Sequence, residues 1–413
     1  MELWFDFSCP YAYLASRRAN QLGVVIDWRP MLLGGVFRGI GTGDGPMATL
    51  GPAKARNNLA DMVRWAAAWG EPFQMPAAHP MRTVRALRVL LGLPHSRWPQ
   101  AIEAIYAAYW QRAEDVTSDA VIRAALSGIP QGIVDAAFEA ADSEAIKDEL
   151  RRRTDEAISL GIFGAPGWVS RSRLIWGQDR MAWVEAMLAG WDLESPMNRP
   201  FSWPDRARAG ARVEVYVDVA SPFAYLGLTQ VPALAAMGAE VRLVPILLGA
   251  LFRDLGQADV PLFAMPAAKA RYLGLDMQRW AHWWGVPFAM PSKFPQRTVT
   301  AQRLILLAGE RGFEVQHRLA VALGRAMWAE DRDLEDPATL RNILEDREDF
   351  EPGWLERASE PEAKAQLVAN TTAAREAGVF GVPTFVVDGE HLFWGQDRLE
   401  FVAKTLAGWL HRS

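Results

Sequence analysis

The stretch Asp218-Val219-Ala220-Ser221-Pro222-Phe223-Ala224-Tyr225-Leu226 joins a β-branched apolar run to a helical one. Residues 213–219 read as a strand from their Val and Tyr content. Pro222 suits the first turn of a helix, where a missing N–H breaks no hydrogen bond. The helical pattern runs over 222–237, and 240–248 reads as a second strand, so the segment is a βαβ unit. The same construction opens the chain: strand 3–7, helix 10–22, strand 24–31, with Cys9-Pro10 matching Ser221-Pro222 at an offset of 212.

Working outward, the two segments prove to be parts of one long repeat. Residues 30–91 and 245–306 align without a gap at an offset of 215, with 31 identities in 62 positions. The offset becomes 218 at Trp176-Gly177-Gln178-Asp179-Arg180 against Trp394-Gly395-Gln396-Asp397-Arg398. A unit of about 200 residues is too long for a solenoid repeat, so this is a tandem domain duplication. Domain one is expected over 1–193, a polar, Pro-containing linker over 194–211, and domain two over 212–413. The middle of each copy, about 50–158 and 265–375, is helical by period. Gly164-Ala165-Pro166 and Gly381-Val382-Pro383 each lead into another strand. Asp388-Gly389 predicts a two-residue hairpin turn between Thr384–Val387 and His391–Trp394. Final helices are expected over 179–190 and 397–410. The order β-α-β, helical insert, β-β-α is an α/β arrangement whose outer parts resemble a thioredoxin fold with an all-helical subdomain inserted.

Composition excludes several classes. Half of the 413 residues are hydrophobic and 23% are charged, which suits a packed core rather than disorder. A net charge of -5 lacks the basic footprint of a nucleic-acid binder. There is no long apolar run of membrane-span length, and the N-terminus lacks the pattern of a signal peptide. One cysteine, Cys9, forbids an intrachain disulfide and fits a reducing cytoplasm. No phosphate-binding loop, nucleophile elbow or zinc-helix motif occurs, and the histidines lack ligand spacing, so no metal or nucleotide is expected.

Cys9 and Ser221 carry the first candidate chemistry. A helix N-terminus offers free N–H groups and a positive dipole end, which predicts a lowered Cys9 pKa. Ser221 cannot ionise usefully, but its hydroxyl can donate to a bound thiolate. The plainer readings are an ordinary N-cap for Ser221 and a small buried apolar residue for Cys9. Trp65, Trp69, Trp280, Trp283 and Trp284 sit at helical spacing, as helix core or as an aromatic wall.

The motif at 218–226 resembles the opening of 2-hydroxychromene-2-carboxylate isomerases and kappa-class glutathione transferases, in the DsbA-like branch of the thioredoxin superfamily. The resemblance continues through Lys269, Tyr272 and Asp276, through Phe380-Gly381-Val382-Pro383-Thr384-Phe385, and through Trp394 to Arg398. It implies glutathione as cofactor and a small-molecule substrate. Ser221 would hold the sulfur, and a cis-Pro383 would present the Val382 backbone to the tripeptide. Gln396 and Asp397 would receive the γ-glutamyl end, and Lys269 would face the ligand. The implied reaction is cis–trans isomerisation of an aromatic or conjugated keto acid. A kappa-like transferase or peroxidase, a monothiol disulfide oxidoreductase acting through Cys9, and a non-catalytic ligand-binding scaffold remain alternatives. Copy one keeps Lys54, Ala165-Pro166, Gln178 and Asp179 in the matching places. It replaces the serine by Cys9, Tyr272 by Asn57 and Thr384 by Gly167. Cys9-Pro10-Tyr11-Ala12 resembles a Cys-Pro-x-Cys site without its second cysteine. Relatives act as homodimers, so the two copies are expected to pack as a pseudo-dimer within a monomeric chain.

Overall fold

In the computed structural model, which describes residues 1–410 apart from 44, 46, 48–49, 200–202 and 259, each copy builds its own four-stranded sheet. Copy one runs β1 (Glu2–Phe5), α1 (Pro10–Ala19), β2 (Asp27–Pro30), α2 (Leu33–Gly39), α3 (Pro52–Trp69), α4 (Val84–Gly92), α5 (Trp98–Trp110), α6 (Asp119–Ala125), α7 (Gln131–Ala140), α8 (Glu144–Ser159), β3 (Gly167–Ser170), β4 (Arg173–Trp176) and α9 (Met181–Leu188). Copy two runs β5 (Arg212–Val217), α10 (Pro222–Leu228), α11 (Val231–Ala236), β6 (Glu240–Pro245), α12 (Leu248–Asp254), α13 (Ala267–Trp284), α14 (Val299–Ala308), α15 (Phe313–Trp328), α16 (Pro337–Glu345), α17 (Trp354–Arg357), α18 (Pro361–Glu376), β7 (Thr384–Val387), β8 (His391–Trp394) and α19 (Leu399–Leu406). The strand orders are β2-β1-β3-β4 and β6-β5-β7-β8. β1 is parallel to β2 and antiparallel to β3, and β5 repeats this with β6 and β7. These are two thioredoxin-like domains, each with an inserted helical subdomain.

The central strands are apolar because both faces are covered. Leu3, Trp4 and Phe5 of β1 and Val213, Val215 and Val217 of β5 are fully buried, as expected for strands between helical layers. The helix expected over 222–237 is broken into α10 and α11, with Pro232 in the first turn of α11. An interior proline removes an N–H and clashes with the preceding turn. Copy one has no such proline, and α1 runs unbroken to Ala19. The turn between β7 and β8 forms at Asp388-Gly389, with φ of 55° and 77°, closed by the Glu390 N–H donating to the Val387 carbonyl at 3.1 Å; because Val387 pairs with His391, the loop has three residues, 388–390, rather than the expected two.

The copies pack on each other through α3 and α13, the same helix in each. Trp280 and Trp283 lie 4.9 and 5.3 Å from Trp183 and Trp191 of copy one, and Trp65 lies 4.7 Å from Phe401 of copy two. Trp65, Trp280 and Trp283 therefore join the two copies, while Trp69 packs on Trp65 and Arg18 of its own copy. Residues 197 and 199 of the connecting stretch donate to the carbonyls of His282 and Trp283 at the end of α13. No helix among the described residues is long and apolar enough to cross a membrane.

Candidate functional site

Ser221 caps α10 with φ -97° and ψ 122°, and Cys9 stands before α1 with φ -98° and ψ 114°. The backbone is the same, and the side chains reach the same place. The Ser221 hydroxyl accepts from the Ala224 N–H at 3.3 Å and donates to the Val382 carbonyl at 3.2 Å. Cys9 Sγ donates to the Ala165 carbonyl at 3.1 Å. Both carbonyls precede prolines joined by cis peptides, Val382–Pro383 and Ala165–Pro166.

The expected activation of Cys9 is not found. Burial pushes its thiol up to about 12; the backbone N–H groups of Ala12 and Tyr11 pull the other way, and the Asp6 carboxylate adds to the rise. Removing water from the thiolate costs more than the helix start returns, so the group is a neutral thiol at ordinary pH.

Beneath each junction lies a buried aspartate that was not singled out from the sequence. Asp218 Oδ1 accepts from the Ala220 N–H and the Thr298 hydroxyl at 3.0 and 2.7 Å, and Oδ2 accepts from the Leu248 N–H at 2.9 Å. Asp6 repeats this with Ser8, Thr83 and Leu33. One carboxylate thus ties the strand end to the starts of two helices. Its signal was available, since Asp and Thr occur at matching places in both copies.

Gln396 and Asp397 follow Gly395, whose φ is 105°. A Cβ there would lie 2.5 Å from Asp397 Oδ1, so the tight turn requires glycine. Asp397 Oδ2 takes Arg180 Nη2 at 2.9 Å and Arg398 Nη1 at 3.2 Å. In copy one, Asp179 Oδ2 takes Arg180 Nη1 and Arg398 Nη1 at 3.0 and 2.9 Å. Arg180 also grips Asp276 in a two-bond fork at 3.2 and 3.1 Å, and Arg398 grips Asp61 at 2.7 and 3.0 Å. Asp61, Asp179, Asp276 and Asp397 thus surround two arginines at the pseudo-twofold axis. Burial disfavours ionisation of Asp179, yet Arg180 and Arg398 hold its pKa below the usual value. Burial dominates at Asp276 and raises its pKa. Read one copy at a time, the sequence does not reveal that these groups meet across the copies.

The lysines also cross over. Lys54, on α3 of copy one, places Nζ 5.0 Å from the ring centroid of Trp394 in copy two. Burial lowers the pKa of Lys54, and burial followed by the charge of Lys54 lowers that of Lys269, so the two share a region. Neither forms an ion pair among the described residues. Tyr272, on α13 of copy two, accepts from the Trp176 N–H of copy one at 2.8 Å through its hydroxyl. Gln178 and Gln396 are buried, and Gln178 Nε2 has no partner among the described residues. Two shallow clefts, of about 320 and 240 Å³, lie away from Ser221 and Cys9.

A thioredoxin-like domain with a polar or thiol side chain at the first helix start, facing a cis-proline loop, defines the class. The chain belongs to the family of DSBA-like thioredoxin domains, matched twice, over residues 1–189 and 212–407. Among curated proteins it is similar to the 2-hydroxychromene-2-carboxylate isomerase of Pseudomonas putida, 33% identical over 206 residues, covering 48% of this chain and 96% of that protein. It is also similar to human glutathione S-transferase kappa 1, 27% identical, covering 47% of this chain and 90% of that protein. Each relative corresponds to about half of this chain, as a tandem duplication requires. A solved 2-hydroxychromene-2-carboxylate isomerase aligns at 26% identity with a TM-score of 0.42, covering 47% of this chain and 94% of that one.

Proposed function

We propose that the chain is a glutathione-dependent cis–trans isomerase of an aromatic or conjugated keto acid, working in copy two through Ser221. The observation that carries this reading is the placement of Ser221 Oγ, a buried hydroxyl at a helix start beside the Val382–Pro383 loop. Ser221 offers a hydroxyl for the sulfur of glutathione, the Val382 backbone beside the cis-proline offers peptide groups for the tripeptide, and Gln396 and Asp397 lie where its γ-glutamyl end is expected, the Asp397 carboxylate being shared with Arg180 and Arg398. When bound, glutathione supplies a thiolate that adds reversibly to a conjugated double bond, so the bond can rotate and the thiol is recovered unchanged. Ser221 turns its hydroxyl proton from the Val382 carbonyl to the sulfur, favouring the charged form. Burial of Ser221 excludes water and strengthens that bond. Lys54, which reaches Trp394 of copy two and has no carboxylate partner among the described residues, supplies positive charge for a substrate carboxylate. Copy one offers a neutral Cys9 thiol at the equivalent place, so the reaction is assigned to copy two.

The test is steady-state isomerisation of benzylidene-pyruvate-type acids with reduced glutathione. Ser221→Ala is expected to lower kcat by about ten- to a hundredfold, the loss of roughly 1.5–3 kcal/mol from a hydrogen bond to a charged group. An unchanged kcat would remove Ser221 from the mechanism. Accumulation of a glutathione conjugate, instead of isomerised acid, would point to the transferase alternative.

A further inference from the structure

The edge strand of the copy-two sheet, β6, leaves part of its backbone unpaired. Glu240 and Ile246 donate their N–H groups to the carbonyls of Ala211 and Val217 on the β5 side. In a parallel pair the peptide groups of alternate residues face the neighbouring strand, so Glu240, Arg242, Val244 and Ile246 face β5. The peptide groups of Leu243 and the carbonyl of Pro245 face outward. Asn370 Nδ2 of α18 donates to that Pro245 carbonyl at 3.1 Å, and Asn370 Oδ1 accepts from Gln366 Nε2 at 3.0 Å. The outward N–H and C=O of Leu243 have no such partner among the described residues. Leu243 instead lines a cleft of about 240 Å³ whose other walls come from the end of α14, from α15 and from α18.

Gln316 of α15 lines the same cleft. It is only 7% exposed, yet its side-chain amide makes no hydrogen bond among the described residues. Gly309 leaves room for it, since a Cβ there would lie 2.9 Å from Gln316 Nε2. Leaving a buried amide unpaired is costly, and this one lies where a ligand can satisfy it. Among the described residues the only charged side chain in the lining is Arg242, already paired with Glu214 Oε1 at 2.9 Å.

Copy one has other chemistry at each of these places. Trp28 stands for Leu243, Ala101 for Gln316, and Glu149 and Arg153 for Gln366 and Asn370. Arg153 Nε holds Glu149 at 2.7 Å, and its guanidinium lies 5.4 Å from the ring centroid of Trp98. A tryptophan and an ion pair in copy one thus correspond to a leucine and amides in copy two.

We propose that this cleft is a binding site, peculiar to copy two and separate from the Ser221 junction, for a small neutral molecule carrying a carboxamide or peptide group. The ligand carbonyl accepts from the Leu243 N–H, and the ligand N–H donates to the Leu243 carbonyl, as in the addition of a strand to a sheet edge. Gln316 takes a second polar group of the ligand. Neutrality follows from the lining, which offers amides and no unpaired charge to offset the desolvation of an ionised ligand. The site does not depend on the isomerase reading.

The test is titration of the full, isotope-labelled chain with N-acetylglycinamide and with the acid N-acetylglycine at neutral pH, followed by backbone and side-chain amide shifts. Expected are saturable shifts at Leu243 and at the Gln316 side chain, with the amide bound about fivefold or more tightly than the acid. Gln316→Ala should weaken binding about three- to tenfold, the loss of one hydrogen bond, and Gly309→Ala should act in the same direction by pushing Gln316 aside. Leu243→Trp should abolish binding. Circular dichroism melts establish that each variant folds. The proposal is overturned by the absence of saturable binding to the wild type, by shifts confined to Val382 and its neighbours, by equal affinity for amide and acid, or by a folded Gln316→Ala that binds normally. Neither probe carries a thiol, so these outcomes are separate from failure of the isomerase reading, which is judged by turnover with glutathione present.

Discussion

At the starts of their first helices the two copies have the same backbone and opposite chemistry. Cys9 and Ser221 differ by only 1° in φ and 8° in ψ, and each donates to the carbonyl before a cis-proline. One sulfur-for-oxygen exchange turns a hydrogen-bonding hydroxyl into a buried thiol that holds its proton. At the sheet edges the difference is again one side chain, Tyr272 against Asn57. Duplication preserved the frame at both places, and the side chains set in it diverged. Position in the fold therefore does not determine reactivity; the desolvation and partners of the individual side chain do.

The largest expected effect would break the frame that both copies share. Arg180→Ala leaves Asp276 without its arginine and Asp179 and Asp397 with Arg398 alone. It should destabilise the chain by about 3–5 kcal/mol, the usual result of breaking a buried ion pair from one side. The shift in urea midpoint measures this, and a loss below about 1 kcal/mol would mean that the cluster behaves as a solvated surface network.

Cys9 sharpens the contrast with Ser221. A folded-state pKa near 12, against an ordinary value of 9.0, means the native chain holds the proton more tightly than the unfolded chain. The thiol's contribution to stability is therefore complete below pH 9 and is lost between pH 9 and about 12. Alkylation by iodoacetamide at pH 9 should be roughly a hundredfold or more slower in the folded chain than in urea. Its rate should climb with pH without levelling near 9. A plateau at or below pH 8 would restore the activated thiolate expected from the helix start.

The smallest effect concerns Lys54. Its lowered pKa means the unfolded chain binds the proton more tightly, so this group costs stability at neutral pH, and the cost is relieved as pH rises toward the ordinary 10.5. Lys54→Met should leave the melting temperature at neutral pH unchanged or raise it slightly; a clear fall would mean that the buried ammonium stabilises the fold.

Much of the fold was legible because its signals are local. The strands Thr384–Val387 and His391–Trp394 and the Asp388-Gly389 turn follow from β-branched content and the need for positive φ. The split of the helix after Ser221 is also legible in Pro232, which stands inside the helical pattern. The candidate site was legible as residue types, with Ser221, Pro383, Gln396 and Asp397 near one junction. The partners of those residues were not legible. Lys54 and Tyr272 appeared to belong to their own copies, yet each reaches the other.

By itself the sequence determined that the chain is a thioredoxin-like unit written twice, with Cys9 facing the role of Ser221 and Asn57 that of Tyr272. Hydrophobic period, turn chemistry and an internal repeat suffice for this, because each depends on neighbours along the chain. Only the tertiary structure decided that α3 and α13 each serve the opposite copy, that four aspartates meet across a pseudo-twofold, and that the Cys9 thiol stays neutral. Those outcomes depend on which groups lose water together and which charges they then face, and burial brings together residues more than a hundred positions apart, such as Asp61 and Arg398.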